Sequence, residues 1–385
     1  MPSITADALS FYVHIPYCVK RCGYCDFNTY TPSELREGGT LESVSGDYID
    51  AVLREIDIAL SQAPGSVPTI FFGGGTPSLL PAKDLGRVIS AITERWDVAK
   101  DCEITLEANP DSVDAMKLAE LREVGFNRIS FGMQSAVPQV LKVLDRTHNP
   151  ENIGRVVQAA RNAGFSSISL DLIYGTPGET IADWRTSVES ALSLQIDHLS
   201  AYALIVETGT KLAAQIKRGE LRMPDDDLMA DMYLLVDELC EDAGMTWYEL
   251  SNWSKPDHQA RHNLAYWKNA NWWGLGPGAH SHLNGVRWWN VRHPTAYKSA
   301  LADSRSPIQD REVLTREQIS DEAMMLAIRM SSGIPLSVIT PEGMERVAGY
   351  SHSGHINESR WQEGILQLTP KGRLIADRIV RELVV

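Results

Sequence analysis

Three cysteines, Cys18, Cys22 and Cys25, constrain this chain more than any other feature. They stand in C-x₃-C-x₂-C spacing after a short apolar run beginning at Phe11, which reads as a strand. Pro16 and Gly23 place them on an irregular loop, not on a helix face. Thiolates this close can ligate one metal centre together. A four-iron, four-sulfide cube takes four ligands, usually cysteine. Three would leave one iron free to chelate a small molecule through an amine and a carboxylate. The alternative is a structural zinc site with His14 as fourth ligand, but zinc ligands usually come as two pairs and no second pair follows.

Composition narrows the setting. At 385 residues the chain can bury one large core and a smaller appended unit. Charged residues make up 22% and hydrophobic ones 43%, an ordinary balance for a soluble globular protein. The net charge of −14 argues against a reader of phosphate backbones, so no nucleic-acid partner is expected. Met1–Ser10 has neither the basic flank nor the apolar centre of a secretion signal, and no apolar run is long enough to span a bilayer. Cys102 and Cys240 stand alone and read as small buried hydrophobes. A cytoplasmic location follows as the expectation.

Along the chain, Thr31–Gly46 reads as a polar loop and Tyr48–Leu60 as an amphipathic helix. Strands are expected at Thr69–Phe72, Glu103–Glu107, Arg128–Phe131, Ile168–Ile173 and His198–Leu204, with helices between them. Six strand–helix units imply a parallel sheet with right-handed crossovers. They are too few to close an eight-stranded barrel, so the expected fold is α/β, an open three-quarter (β/α)6 barrel. It is assigned to residues 1–250. Residues 251–306 form an aromatic-rich connecting segment; Trp247–Trp289 holds seven of the ten tryptophans. Residues 307–385 are expected to form a small helical, winged-helix-like domain.

Polar punctuation falls just past the strand ends, where parallel α/β folds do their chemistry. Gly73-Gly74-Gly75-Thr76-Pro77 offers backbone that a ligand can approach, although glycine there can equally serve the turn. Glu107 and Asp171 could take hydroxyl or ammonium groups, or simply cap strand ends. Arg146 could pair with a carboxylate or be a surface charge. YVHIPYC-x₃-C-x₂-CDF, FFGGGTPSLL, LEANP, RISFGMQS, LDRTH and LDLIYGTPGET follow in that order. With them the chain resembles the oxygen-independent coproporphyrinogen III oxidase family, within the radical S-adenosylmethionine (SAM) superfamily, from roughly Phe11 to Asn290. The resemblance implies a [4Fe–4S] cluster on Cys18, Cys22 and Cys25. It also implies SAM contacts at Tyr12, Tyr24, Gly74, Gly75, Thr76, Glu107, Gln134, Arg146 and Asp171.

That family has an oxidase branch and a haem-chaperone branch. Oxidases carry a fourth cysteine two positions after the third, where this chain has Phe27, and an extended segment before the first strand. Both departures resemble the chaperone branch, as does His262-Asn263-Leu264-Ala265-Tyr266-Trp267, which fits its H-N-x-x-Y-W motif. The resemblance makes His262 a haem ligand, with Tyr266 and Trp267 available to pack on the porphyrin. A histidine hydrogen-bonded in a Trp-rich core is the competing reading, and His258, His280, His282 and His293 are rival ligands. The implied function is haem delivery to respiratory or other haem apoproteins, with transient membrane contact and a homodimer possible. Oxidative decarboxylation of coproporphyrinogen III is the alternative, and nucleic-acid modification a distant third.

Overall fold

Alternation of apolar and polar residues along six parallel strands, broken by Tyr12 and Phe71 on the inner face, sets the architecture. The strands are β1 (Leu9–Ile15), β2 (Ser66–Gly74), β3 (Asp97–Ala108), β4 (Arg128–Gln134), β5 (Ser167–Tyr174) and β6 (His198–Ala203). Phe11, Val13, Ile70, Phe72, Ile104, Leu106, Ile129, Phe131, Ile168, Leu170 and Leu199 point outward into the main core. There they meet the surrounding helices, among them Leu85, Val88, Val156, Trp184 and Val188. The opposite face carries Ser10, Thr69, Glu103, Thr105, Arg128, Ser130, Ser167, Ser169, His198 and Ser200, all of them buried and polar. A period of two thus gives one sheet an apolar outside and a polar lumen.

The computed structural model describes residues 8–35, 41–63 and 65–384. Most of the N-terminal segment read for a secretion signal, and residues 36–40 of the expected Thr31–Gly46 loop, lie outside them. The rest of that loop departs from expectation: Pro32–Leu35 is helical, and the following helix runs Leu41–Gln62 instead of starting at Tyr48. A glycine within a helix costs only about 1 kcal/mol, so Gly46 does not stop it.

The parallel sheet β1–β6 is extended at both ends. β7 (Thr246–Glu249) and β8 (Asn252–Ser254) form an antiparallel pair beside β6. β9 (Asn271–Leu275) runs parallel to β1, and β10 (His280–Leu283), β11 (Val286–Asn290) and β12 (Ile308–Val313) add to it in turn. The order is β12-β11-β10-β9-β1-β2-β3-β4-β5-β6-β8-β7, and among the described residues the edge strands β12 and β7 do not pair with each other, so the barrel stays open.

The aromatic-rich segment therefore supplies sheet. Its doublets Trp272-Trp273 and Trp288-Trp289 lie in strands, so each sends one indole to either face. Trp273 and Trp288 enter the core and meet edge-on at 4.9 Å, while Trp272 packs on Tyr266 and His282, and Trp289 stacks on His280.

The last portion gathers a second core from Ile328, Ile334, Ile339, Val347, Ile356, Leu366, Ile379 and Leu383. It is helical apart from the paired β13 (Ile334–Pro335) and β14 (Ile365–Leu366). Buried Arg373 fastens it to the barrel by a bidentate pair with Asp237, its guanidinium 4.3 Å from the Trp247 ring.

Candidate functional site

Register brings the rim residues level. Ile15 pairs with Gly74, Glu107 with Ser130 and Gly132 with Asp171, so the ends of β1 to β5 form one edge above the lumen. The cysteine loop leaves β1 and lies across it. Gly75 donates from its N–H to the Ile15 carbonyl at 2.7 Å, and Thr76 to that of Tyr17 at 2.8 Å. The glycine run is thus a seat for the cysteine loop. A Cβ at Gly74 would fall 2.5 Å from the His14 ring, and one at Gly75 2.5 Å from the Tyr17 carbonyl oxygen.

All three loop cysteines are free thiols. Thr76 Oγ1 donates to Cys18 Sγ at 3.8 Å, and Arg146 Nη1 to Cys22 Sγ at 3.4 Å. Burial pushes the Cys18 thiol up to about 11 and raises that of Cys25, so metal binding must displace protons from them. The loop is clamped from its far side. Gly23 donates to the Leu144 carbonyl, Leu212 donates to that of Gly23, and Asp145 takes Lys20 and Lys211 at 2.7 and 2.6 Å.

Arg146 completes the cradle. Its Nη2 donates to the Gly132 carbonyl at 2.8 Å, while its buried Nε finds no partner among the described residues. An unanswered guanidinium N–H beside three thiols suits an anionic ligand, so the donor set fits a cluster carrying a carboxylate-bearing molecule. Gln134 and Asp145, near this arginine, both adopt positive φ (61° and 59°), a strained state for residues with side chains.

Glu107 and Asp171 share the lumen side of the rim. Glu107 accepts from the Gly74 N–H at 3.1 Å. Burial, and then the Asp171 charge, push its carboxyl up to about 8. Ser130 Oγ donates to Asp171 at 2.9 Å, and burial raises that carboxyl too. Tyr24 lies beside Cys22 and Arg146, and burial raises its phenol. Tyr12 stacks on Phe71 at 6.1 Å and donates to His14 Nδ1 at 2.9 Å. The other His14 nitrogen, Nε2, donates to the Asn28 carbonyl at 2.9 Å. Both nitrogens of the histidine considered for zinc are therefore engaged. Among the described residues, no three His, Cys, Asp or Glu side chains are grouped for a single metal ion.

His262 is not part of that rim. It opens the short helix Arg261–Trp267, whose first N–H groups are capped by Glu103: Oε2 accepts from Arg261 and Oε1 from His262, each at 3.0 Å. Glu103 lies four residues before Glu107 on the same strand, about 13 Å away along it. Arg128 holds the floor together, bonding Ser167, Ser169 and the His258 carbonyl and standing 3.8 Å from Glu103. The ring of His262 contacts Thr69 Oγ1 at 2.8 Å through Nδ1 and the Tyr266 hydroxyl at 2.9 Å through Nε2. Burial lowers its pKa to about 3, which keeps it neutral. One aromatic row joins floor to rim: Phe71 stacks on His262 at 5.1 Å and on Tyr12 at 6.1 Å.

The Radical SAM superfamily model matches residues 12–191. The heme chaperone HemW of Mycobacterium tuberculosis is 44% identical, the match covering 97% of this chain and 94% of that protein. HemW of Bacillus subtilis is 35% identical over 96% and 97%. The chain belongs to the HemW family. Its fold is that of coproporphyrinogen III oxidase (HemN) of Escherichia coli, with a TM-score of 0.81, 23% identity, and 97% and 89% of the two chains covered.

Several residues around His262 in this HemW-family chain carry no mark in the sequence. Thr69, Phe71 and Glu103 hold His262, yet each is one residue of a strand with nothing local to mark it. The alternation in β3, Glu103-Ile104-Thr105-Leu106-Glu107, was the available signal of a polar lumen. The rival histidines have other work. His282 donates from Nδ1 to the Ala270 carbonyl and accepts the Gly285 N–H at Nε2. His293 caps the Pro294–Ala302 helix, and His258 contacts Ser167. His280 is exposed and stacks on Trp289. No helix among the described residues is long and apolar enough to cross a membrane.

Proposed function

We propose that this chain binds haem through His262 and passes it to haem-accepting apoproteins, membrane respiratory enzymes among them. The observation that carries the reading is the polarity of the His262 ring. Thr69 Oγ1 donates its proton to Ser10 Oγ at 2.9 Å, so towards His262 it accepts, and Nδ1 bears the imidazole hydrogen. Nε2 then has the free electron pair, as in histidines that ligate metals through one nitrogen and are oriented through the other. The names of the curated relatives support the same reading.

In this reading Cys18, Cys22 and Cys25 hold a [4Fe–4S] cluster. Tyr12, Tyr24, Gly74, Gly75, Thr76, Glu107, Gln134, Arg146 and Asp171 receive SAM. The cluster supplies one-electron chemistry when bound. The chain's own part is to seat the loop on Gly74–Gly75, meet negative charge with Arg146, and keep Glu107 protonated at neutral pH. Residues 1–250 serve the cluster, 251–306 the haem motif and 307–385 partner contact, in the cytoplasm with transient visits to the membrane. Haem titration followed at the Soret band tests the assignment: His262→Ala should bind roughly ten-fold or more weakly, about 1.4 kcal/mol, with a shifted band. An unchanged band and affinity would remove His262. Stoichiometric protoporphyrinogen from anaerobic incubation with coproporphyrinogen, SAM and reductant would replace the carrier by the oxidase.

A further inference from the structure

His262 is fixed on three sides. Its N–H is bonded to Glu103, its Nδ1 to Thr69, and its ring face lies against Phe71 with only 18° between the planes. The fourth side is Nε2, and the one electron pair there already accepts from the Tyr266 hydroxyl at 2.9 Å. Tyr266 stands one helical turn on, at i+4, and is half-buried where His262 is buried. Its ring meets Trp272 edge-on at 4.8 Å. A nitrogen lone pair serves a hydroxyl proton or an iron, never both.

We propose that Tyr266 is the gate on the haem ligand: iron reaches His262 Nε2 only after the Tyr266 hydroxyl has turned off it. The inference rests on the reading of His262 as ligand. Because Glu103, Thr69 and Phe71 immobilise the imidazole, Tyr266 is the member of the pair that moves. Two consequences follow. Apparent affinity is reduced by the fraction of molecules with the gate open. The association rate levels off at high haem concentration, where opening becomes the slow step.

The test uses the full chain, haem titration and stopped-flow mixing. Tyr266→Phe keeps the ring and its contact with Trp272 and removes only the hydroxyl. It should bind haem roughly five-fold more tightly, the loss of one net hydrogen bond from the free state. Its association rate should stay linear in haem where the wild type saturates. Equal or weaker affinity in Tyr266→Phe overturns the gate, as does a wild-type rate that never levels off, a measurement needing no variant. His262→Ala separates the failures. If it binds like the wild type, the ligand reading falls; if it alone is impaired and Tyr266→Phe is unchanged, only the gate falls.

Discussion

Gly75→Ala tests whether the glycine run is a seat for the cysteine loop. The added Cβ would lie 2.5 Å from the Tyr17 carbonyl oxygen and 2.9 Å from that of Ile15. Both are backbone atoms, so no rotamer change can make room. Overpacking of this kind costs about 1–3 kcal/mol. Two hydrogen bonds cross the same contact, Gly75 to Ile15 and Thr76 to Tyr17. Losing either adds about 1 kcal/mol, giving roughly 2–5 kcal/mol against a total stability of about 5–15. Any relaxation moves Tyr17, and Cys18 with it. The assay has two parts, urea unfolding of the metal-free chain and iron content after anaerobic reconstitution. Both should fall in Gly75→Ala. Gly349→Ala is the control: the site is exposed, inside the Pro341–His352 helix, with nothing within 4 Å of the new Cβ, so about 0.5–1 kcal/mol is gained. Wild-type iron content and unfolding free energy in Gly75→Ala would refute the seat.

Two further outcomes follow from the same geometry. Glu107 has a folded-state pKa raised to about 8 from an ordinary 4.5. The folded chain therefore holds that proton more tightly than the unfolded one. Its contribution is complete below about pH 4.5 and disappears as pH rises through about 8. Glu107→Gln keeps an acceptor for the Gly74 N–H, so its stability should fall less than the wild type's between about pH 5 and 9; parallel stability curves would reject the burial argument. Arg373→Ala should destabilise by about 3–5 kcal/mol, because it strands Asp237, which is mostly enclosed and also accepts from Trp253 Nε1 at 2.8 Å. Limited proteolysis should then release the 328–384 core first, and an unchanged urea midpoint would contradict this.

What the sequence disclosed depended on how local the signal was. The six strands β1–β6 and their helices were legible because each apolar outer face repeats every second residue and each helix every third or fourth. The rim was legible because Cys18 follows β1 just past Pro16, Gly74 ends β2 in a glycine run, and Glu107 lies one residue from the end of β3 before Asn109-Pro110. Asp171 lies three residues inside the end of β5 and has no such mark beside it. β7 was legible as a strand at Thr246–Leu250, whereas β8 to β11 escaped because they are only three to five residues long, and in β9 and β11 adjacent indoles on both faces hide the period of two. A signal was present in Asn284-Gly285, both at positive φ (51° and 81°) between β10 and β11, the two-residue turn that joins hairpins. The partners of His262 were beyond reach, since Thr69 and Glu103 lie 193 and 159 residues from it.

Period two also explains why two glutamates of one strand do different things. Glu103 and Glu107 are an even number of residues apart, so both face the lumen, about 13 Å from each other along β3. At the floor, Glu103 meets the first N–H groups of the Arg261–Trp267 helix and the charge of Arg128. That carboxylate fixes a backbone. At the rim, Glu107 meets one N–H and the carboxyl of Asp171, and holds its proton. That carboxyl can donate as well as accept, which suits a ligand bearing hydroxyl and amine groups. The same side chain on the same face becomes a backbone anchor or a proton holder according to the charges its neighbouring strands bring alongside. Between the two, Tyr12, Phe71 and His262 stack in one row, so a change at either end has a packed path of rings to the other.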